Sequence, residues 1–208
     1  MRCTANADDS KEEIMKAANK NRTSTRTLVL GAILTALVVI LQYLGQFIRL
    51  GPFSISLVLI PIVIGAAACG TAVSGWLGFV FGVVVLITDA AAFLAVSIPG
   101  TILTVLAKGI ACGLAAGIVF RLLEKKNKYL ATIAAAVVCP IVNTGIFALG
   151  CRIFFWDTLR VWGEGLGFEN AFAYMIFGMI GANFLVEMAS NIVLSPAVVR
   201  LLGMVRKK

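Results

Sequence analysis

The sequence contains no histidine, and only 13% of its 208 residues carry a charged side chain. Histidine is the commonest metal ligand and the usual general base near neutral pH, so its absence weighs against both roles. The five cysteines show no paired spacing, and most lie in apolar stretches, where cysteine behaves as a small hydrophobic residue. We therefore predict no catalytic residues, no metal site and no cofactor.

Sequence patterns of catalytic and ATP-driven proteins are also missing. The chain has no Gly-x-x-x-x-Gly-Lys-Ser/Thr loop to hold a nucleotide phosphate, so any ATP-driven function requires a separate subunit. It has neither the paired aspartates nor the serine with a base that intramembrane proteases use. It also lacks the polar residues repeated along several helices that would line a channel.

Apolar residues, by contrast, are in large excess, at 60% of the chain with a mean hydropathy of +0.99. A helix needs about 20 apolar residues to cross a bilayer. Runs that meet or approach this length cover residues 27–48, 55–69, 71–88, 99–123, 130–155 and 171–203. The second run is short and contains Pro61, which is typical of a tilted, kinked or re-entrant segment. We predict an all-α membrane protein with six transmembrane helices, and counts of five and seven stay open.

The placement of basic residues predicts the orientation. The formal net charge of +8 would suggest nucleic acid in a soluble protein, but in a membrane protein Lys and Arg gather in cytoplasmic segments. Of the 18 basic residues, six precede the first run, four lie at or just after the end of the fourth run and four lie near the C-terminus. Six helices place all three segments on one side, so both termini are predicted to be cytoplasmic. We expect a polar tail over 1–26 that is no signal peptide, a membrane domain over 27–203 and a basic tail over 204–208.

Polar residues inside the apolar runs mark a candidate site. Asn183, Glu187 and Asn191 lie four residues apart and share one face of the sixth predicted helix. Interhelical hydrogen bonds would explain an isolated asparagine, at about 0.6 kcal/mol each. A buried glutamate between two asparagines indicates instead a polar ligand, a protonated carboxyl group, or a cationic partner such as Lys108 or Arg152. The residues predicted to bind a solute, near the outer half of helices 4, 5 and 6, are Lys108, Asn143, Arg152, Asn183, Glu187 and Asn191.

Two outer loops are candidates for a lid over that site. The first surrounds Arg49 and Phe53, and the last, over 156–169, mixes glycines and charges with Trp156 and Trp162. Those four residues are predicted to gate the site. Anchoring at the membrane interface is the alternative explanation for the tryptophans.

The first predicted helix carries two rows of small residues, Gly31 with Thr35 and Ala32 with Ala36. Residues four apart share a helix face, so the helix has a nearly flat side close to the basic tail. Small side chains let two helix backbones approach closely in a membrane. The rows indicate docking of another subunit or packing within the chain.

These features together resemble the substrate-binding S component of an energy-coupling factor (ECF) transporter, over about residues 27–203. The resemblance rests on three segments, which are Ala32-Ile33-Leu34-Thr35-Ala36, the series from Ile60-Pro61 to Gly82, and the run Lys108 to Gly117. It implies a bacterial membrane protein that captures a vitamin-like solute outside and then rotates in the membrane to release it inside. A T subunit, driven by two ATPase subunits, would dock on Gly31, Ala32, Thr35 and Ala36.

Within this family, Asn143 and Asn183 resemble ligand-binding positions of the riboflavin/pantothenate-type branch. Glu187 departs from that branch, which tends to have a lysine nearby. The resemblance therefore leaves riboflavin, pantothenate and amine-bearing solutes open, as well as a neutral site in which Glu187 pairs with Lys108. A stand-alone secondary transporter and a membrane scaffold are the alternative functions.

Overall fold

The computed structural model describes residues 25–47, 49–50, 53–54 and 57–206. Nearly all of the predicted N-terminal tail, the last two residues of the basic tail, and the side chains of Arg49 and Phe53 lie outside the described part.

The described chain is almost entirely helical. Its α-helices are α1 Thr25–Gly45, α2 Leu59–Cys69, α3 Thr71–Thr88, α4 Ala91–Leu94, α5 Ile98–Leu123, α6 Lys128–Phe154, α7 Trp156–Gly165, α8 Ala171–Ala173 and α9 Gly181–Arg206. A π-helix over Tyr174–Ile180 joins α8 to α9. Two short strands, β1 Arg49–Leu50 and β2 Phe53–Ser54, pair as an antiparallel hairpin between α1 and α2.

Five helical segments are long and apolar enough to cross a membrane: Thr25–Gly45, Thr71–Thr88, Ile98–Leu123, Lys128–Phe154 and Ala171–Leu194. This confirms the prediction of an all-α membrane protein. The remaining predicted span corresponds to α2, whose 11 residues measure about 16 Å, half the thickness of a bilayer core. It is short because Gly70 turns the chain with a φ of 91°, a conformation that side-chain-bearing residues rarely adopt.

Side-chain caps set where the longest helices begin. The Ser97 hydroxyl accepts the backbone N–H of Gly100 at 3.3 Å, and Pro99 lies in the first turn of α5. The Asn127 side chain accepts the N–H of Tyr129 at 2.8 Å at the start of α6. These caps stop α5 and α6 from merging with their neighbours and fix the turns between them.

The two ends of the helix bundle differ. Gln42 of α1 bonds Asp89 beyond α3, and Phe93 of α4 packs on Phe155 at the end of α6. This end, which also holds β1, β2 and α7, is called the hairpin end. At the other end, the turn end, Cys69 of α2 lies beside the backbone of Thr27.

The helices α3 and α5 pack with their backbones in contact. A Cβ added to Gly78 would clash with the carbonyl oxygen of Gly109, and one added to Gly113 would clash with that of Ser74. We call these four residues the glycine seam. Since no side chain separates the two helices here, Lys108, next to Gly109, is held close to Phe81 of α3.

Two buried clusters surround this seam. The larger is mainly aliphatic and joins α1, α2, α3, α5 and α6 around residues such as Val38, Ile62 and Leu77. The smaller lies at the hairpin end and is aromatic, with Phe93 meeting Phe155 edge to face at 4.9 Å between ring centres. A cavity lies where the two clusters meet.

Candidate functional site

The cavity is enclosed by α1, α3, α5, α6, the π-helix and α9. It holds about 520 Å³ of space between atoms, counting its open mouth. Its walls are formed by Gln42, Phe81, Val85, Asp89, Lys108, Asn143, Thr144, Phe147, Met179, Ile180, Asn183 and Glu187. Four of the six residues predicted to bind a solute are therefore brought together.

Lys108 contributes a cation to the cavity wall. Its ammonium nitrogen is 5.0 Å from the ring centre of Phe147 and 5.7 Å from that of Phe81. Cation–π contacts of this kind are worth more where water is excluded. A half-buried cation inside a membrane helix is costly, so it points to a functional site.

Two amide–carboxylate pairs form the rest of the polar wall. The Gln42 side chain donates to Asp89 Oδ2 at 2.7 Å, and the Asn183 side chain donates to Glu187 Oε1 at 3.2 Å. The second pair joins residues one turn apart on α9, as the spacing predicts. The first pair connects α1 to the end of α3 and therefore closes one side of the cavity.

Two amide oxygens in this wall, those of the Asn143 and Asn183 side chains, are buried without a hydrogen-bond partner among the described residues. Asn143 is only 5% exposed and lies in the middle of α6. A buried acceptor without a donor is unfavourable by roughly 1–3 kcal/mol. Both residues line the cavity and leave hydrogen-bonding capacity unused.

The family model for the substrate-specific component of ECF transporters matches residues 26–199 of the chain. This chain belongs to the ECF substrate-specific component family. It is thus the membrane-embedded, substrate-binding subunit of an ECF-type importer and not itself an enzyme. Membership implies association with ECF T and ATPase subunits. No curated protein and no solved structure gives a significant match to the chain.

Two of the residues predicted to bind solute lie outside the cavity of this S component. Arg152 is exposed and stacks its guanidinium 4.4 Å from the ring centre of Trp156. It lies nine residues after Asn143, about two and a half turns of helix, and so faces the opposite side of α6. Asn191 is buried, but it lies one turn beyond Glu187 and is not part of the cavity wall.

Sequence analysis missed Gln42 and did not include Asp89 in the site. Gln42 is only 2% exposed, despite its polar side chain. It could have been found by the reasoning that selected Asn143, because it is also an amide within an apolar run. Its pairing with Asp89 could not have been found from the sequence, since 47 residues separate the two in the chain.

The last outer loop predicted by the sequence is mostly the helix α7. Leu159 and Gly163, one turn apart, bury one face of it, while Arg160 and Glu164 lie 3.9 Å apart on the exposed face. Trp162 packs edge to face on Phe93, at 5.6 Å between ring centres. The tryptophan therefore covers the aromatic cluster next to the cavity.

The two rows of small residues on α1 face different surroundings. The Thr35 hydroxyl accepts the indole N–H of Trp76 at 3.3 Å, and a Cβ on Gly31 would lie 3.5 Å from Val73. The Gly31–Thr35 row therefore packs on α3 of the same chain. Ala32 and Ala36 are exposed.

A second cavity, of about 350 Å³ counting its mouth, adjoins the first. The two share Val85, Asp89, Lys108 and Phe147 as a common wall. The far side is apolar and aromatic, with Phe93 and Phe155, apart from threonines such as Thr104. The hydroxyl oxygen of Thr104 is buried with no hydrogen-bond partner among the described residues.

Proposed function

We propose that this subunit captures a water-soluble vitamin or a similar small molecule in the cavity at Lys108, Asn143, Asn183 and Glu187. Delivery to the cytoplasm then uses an ECF T subunit and two ATPase subunits in a bacterial cell membrane. The observation that carries the proposal is a cavity with charged and amide side chains inside an apolar helix bundle. Such groups are costly in a membrane unless they bind something.

We further propose six membrane passages, with α2 as a short second passage and both termini in the cytoplasm. The chain reverses at Gly70 and again at the turn after α5, so α1 begins and α9 ends at the turn end. The basic residues Arg121, Lys125, Lys126 and Lys128 lie near that α5–α6 turn. Cytoplasmic segments carry such an excess of Lys and Arg, which supports this orientation.

In this orientation the hairpin end faces outward and the solute enters there. The cavity lies toward this end, beside Asp89 at the end of α3 and next to the aromatic cluster that Trp162 covers. We propose that the hairpin around Arg49 and Phe53, together with α7, which carries Trp156 and Trp162, gates the entrance.

The outer row on α1 is proposed as the docking site of the T subunit. Ala32 and Ala36 are exposed among large apolar residues, with Leu28 72% and Ile33 59% exposed. Small residues allow another helix to approach between such neighbours. The inner row of Gly31 and Thr35 would support the docking site from behind by fixing α1 on α3.

Purification in lipid nanodiscs, followed by mass spectrometry of retained small molecules, tests the binding function. We expect one compound to be retained from a small-molecule extract of bacterial cells. Replacing Asn143 by leucine should weaken its binding about tenfold or more, because the cavity loses a hydrogen-bonding side chain.

A matched control for this variant is Thr132→Val. Thr132 is a buried polar residue of the same helix, but its hydroxyl bonds the backbone oxygen of Lys128, away from the cavity. This control should keep the affinity within about twofold. Retention of no compound by the unmodified protein would contradict the binding function.

A further inference from the structure

We infer that the solute carries an aromatic ring and that this ring enters the second cavity, with the rest of the solute in the first. The inference rests on the proposed function and names the class of substrate for the same site. It follows from three features of the second cavity: the apolar character of its wall, the arrangement of the phenylalanine rings around it, and the residues that it shares with the first cavity.

The wall of the second cavity beyond the shared residues offers little to a polar group. Its apolar members are Ala90, Phe93, Val105 and Phe155. The other two members are threonines. Thr101 is only 1% exposed, and its hydroxyl donates to the carbonyl oxygen of Ser97 at 2.7 Å, while the hydroxyl oxygen of Thr104 is buried. An apolar part of a solute therefore gains by leaving water for this wall, whereas a polar part would lose hydrogen bonds.

Three phenylalanine rings surround the second cavity in the geometry that aromatic groups prefer. Phe93 lies edge to face against Phe147 at 5.8 Å and against Phe155 at 4.9 Å between ring centres. Edge-to-face contacts at such distances are favourable beyond the burial of apolar area alone. A planar ring that enters the cavity can make further contacts of the same kind, which an aliphatic chain cannot.

The shared wall favours an aromatic ring over an aliphatic group. Lys108 and Phe147 line both cavities, and the ammonium nitrogen lies 5.0 Å from the centre of that ring. A solute that extends from one cavity into the other therefore passes this ammonium group. The face of an aromatic ring attracts a cation, whereas an aliphatic group only displaces its water. The charged side chain thus selects a ring where the two cavities meet.

The binding test uses the protein in nanodiscs, equilibrated with a small-molecule extract of bacterial cells. The extract is supplemented with equal amounts of riboflavin, thiamine, pyridoxine, pantothenate and biotin. The first three compounds contain an aromatic ring, and the last two do not. The retained compound is identified by mass spectrometry, and its Kd is measured for each variant. We expect the retained compound to contain an aromatic ring.

Ala90→Leu tests whether the ring enters the second cavity. Ala90 is buried and lines this cavity but not the first. The larger side chain takes up space that the ring needs, so the affinity should fall about tenfold or more. Ala91→Leu is the matched control, because Ala91 is the next residue, is exposed and lies outside both cavity walls. It should keep the affinity within about twofold.

A second pair of variants removes an aromatic contact instead of filling space. Phe155 lines the second cavity but not the first, and Phe155→Leu replaces its ring by an aliphatic side chain. We expect the affinity to fall about threefold or more. Phe154→Leu makes the same exchange at the neighbouring residue, which is 40% exposed and outside both cavity walls, and it should leave the affinity unchanged. This pair decides the test if Ala90→Leu lowers the Tm strongly.

Three results would overturn the inference and leave the proposed function intact. The first is retention of a compound without an aromatic ring. The second is an unchanged affinity in Ala90→Leu, or in Phe155→Leu where that pair decides; a raised Tm in Ala90→Leu would then identify the second cavity as a gap in packing that leucine fills. The third is an equal loss of affinity in a variant and its matched control. Retention of nothing by the unmodified protein refutes the proposed function itself.

Discussion

The glycine seam and the outer row of α1 are built from the same kind of residue, yet they meet opposite surroundings. In the seam, Gly78 and Gly113 lie against backbone atoms of the facing helix. On α1, Ala32 and Ala36 are exposed. Both follow the spacing of small residues four apart that promotes close helix contacts in membranes. One contact is thus made inside the chain, and the other is the contact that we propose for a partner.

This difference assigns the two regions to different tasks. The seam fixes α5 on α3 and so sets the distance between Lys108 and Phe81 in the cavity wall. The outer row lies on a helix that contributes only Gln42 to the same wall. Substitutions in the seam should therefore act on stability and on binding together, while substitutions in the outer row should act on transport alone.

The largest effect is expected from Gly78→Ala. The added methyl group would meet the carbonyl oxygen of Gly109, and neither backbone can move without separating the two helices. We expect the free energy of unfolding to fall by more than about 2 kcal/mol. Thermal unfolding of the purified protein in detergent measures the change.

The control for this prediction is Gly145→Ala. Gly145 lies in α6, and a Cβ there would meet nothing within 4 Å. Alanine favours a helix over glycine, so this variant should gain up to about 1 kcal/mol. A similar response from both glycines would mean that the seam does not hold α3 and α5 in contact.

The second prediction concerns transport. Replacing both Ala32 and Ala36 by leucine fills the outer row, so a partner helix can no longer approach it closely. We expect uptake by the complete transporter in proteoliposomes to fall about tenfold or more. Solute binding to the isolated subunit should change less than twofold, because neither alanine lines the cavity.

Ala189→Leu provides the comparison for this double variant, since Ala189 is an exposed alanine on α9. It should leave both uptake and binding unchanged. Normal uptake by the Ala32 and Ala36 variant would refute docking on this row, whatever its effect on binding.

The sequence predicted the composition of the site better than its geometry. The helical membrane class follows from long apolar runs, and the Asn183–Glu187 pair follows from spacing within one helix. Arg152 lies outside the cavity because of the rotation of α6 about its own axis. Since α6 has apolar residues on all its sides, its sequence does not show which side faces the cavity. The short length of α2 depends on one glycine conformation at Gly70, which hydropathy does not register.

The sequence could not show which of the two rows on α1 packs within the chain and which is exposed. Both rows have small residues at the same spacing, and both were predicted to dock a partner or to pack within the chain. The position of Trp76, which donates to Thr35, helps to separate them. Trp76 lies 41 residues further along the chain, and no local pattern connects the two.

The smallest effect is expected from the inner row, through the hydrogen bond between Trp76 and Thr35. Replacing Thr35 by valine keeps the shape of the side chain and removes the acceptor, while Trp76→Phe removes the donor. Hydrogen bonds between membrane helices average about 0.6 kcal/mol, so we expect a coupling energy of that size in a double-mutant cycle. The free energies of unfolding of the two single variants and the double variant give this coupling. Strictly additive losses would mean that the inner row packs on α3 by shape alone. Uptake should be nearly normal for every variant of the cycle, because the outer row is unchanged in all of them.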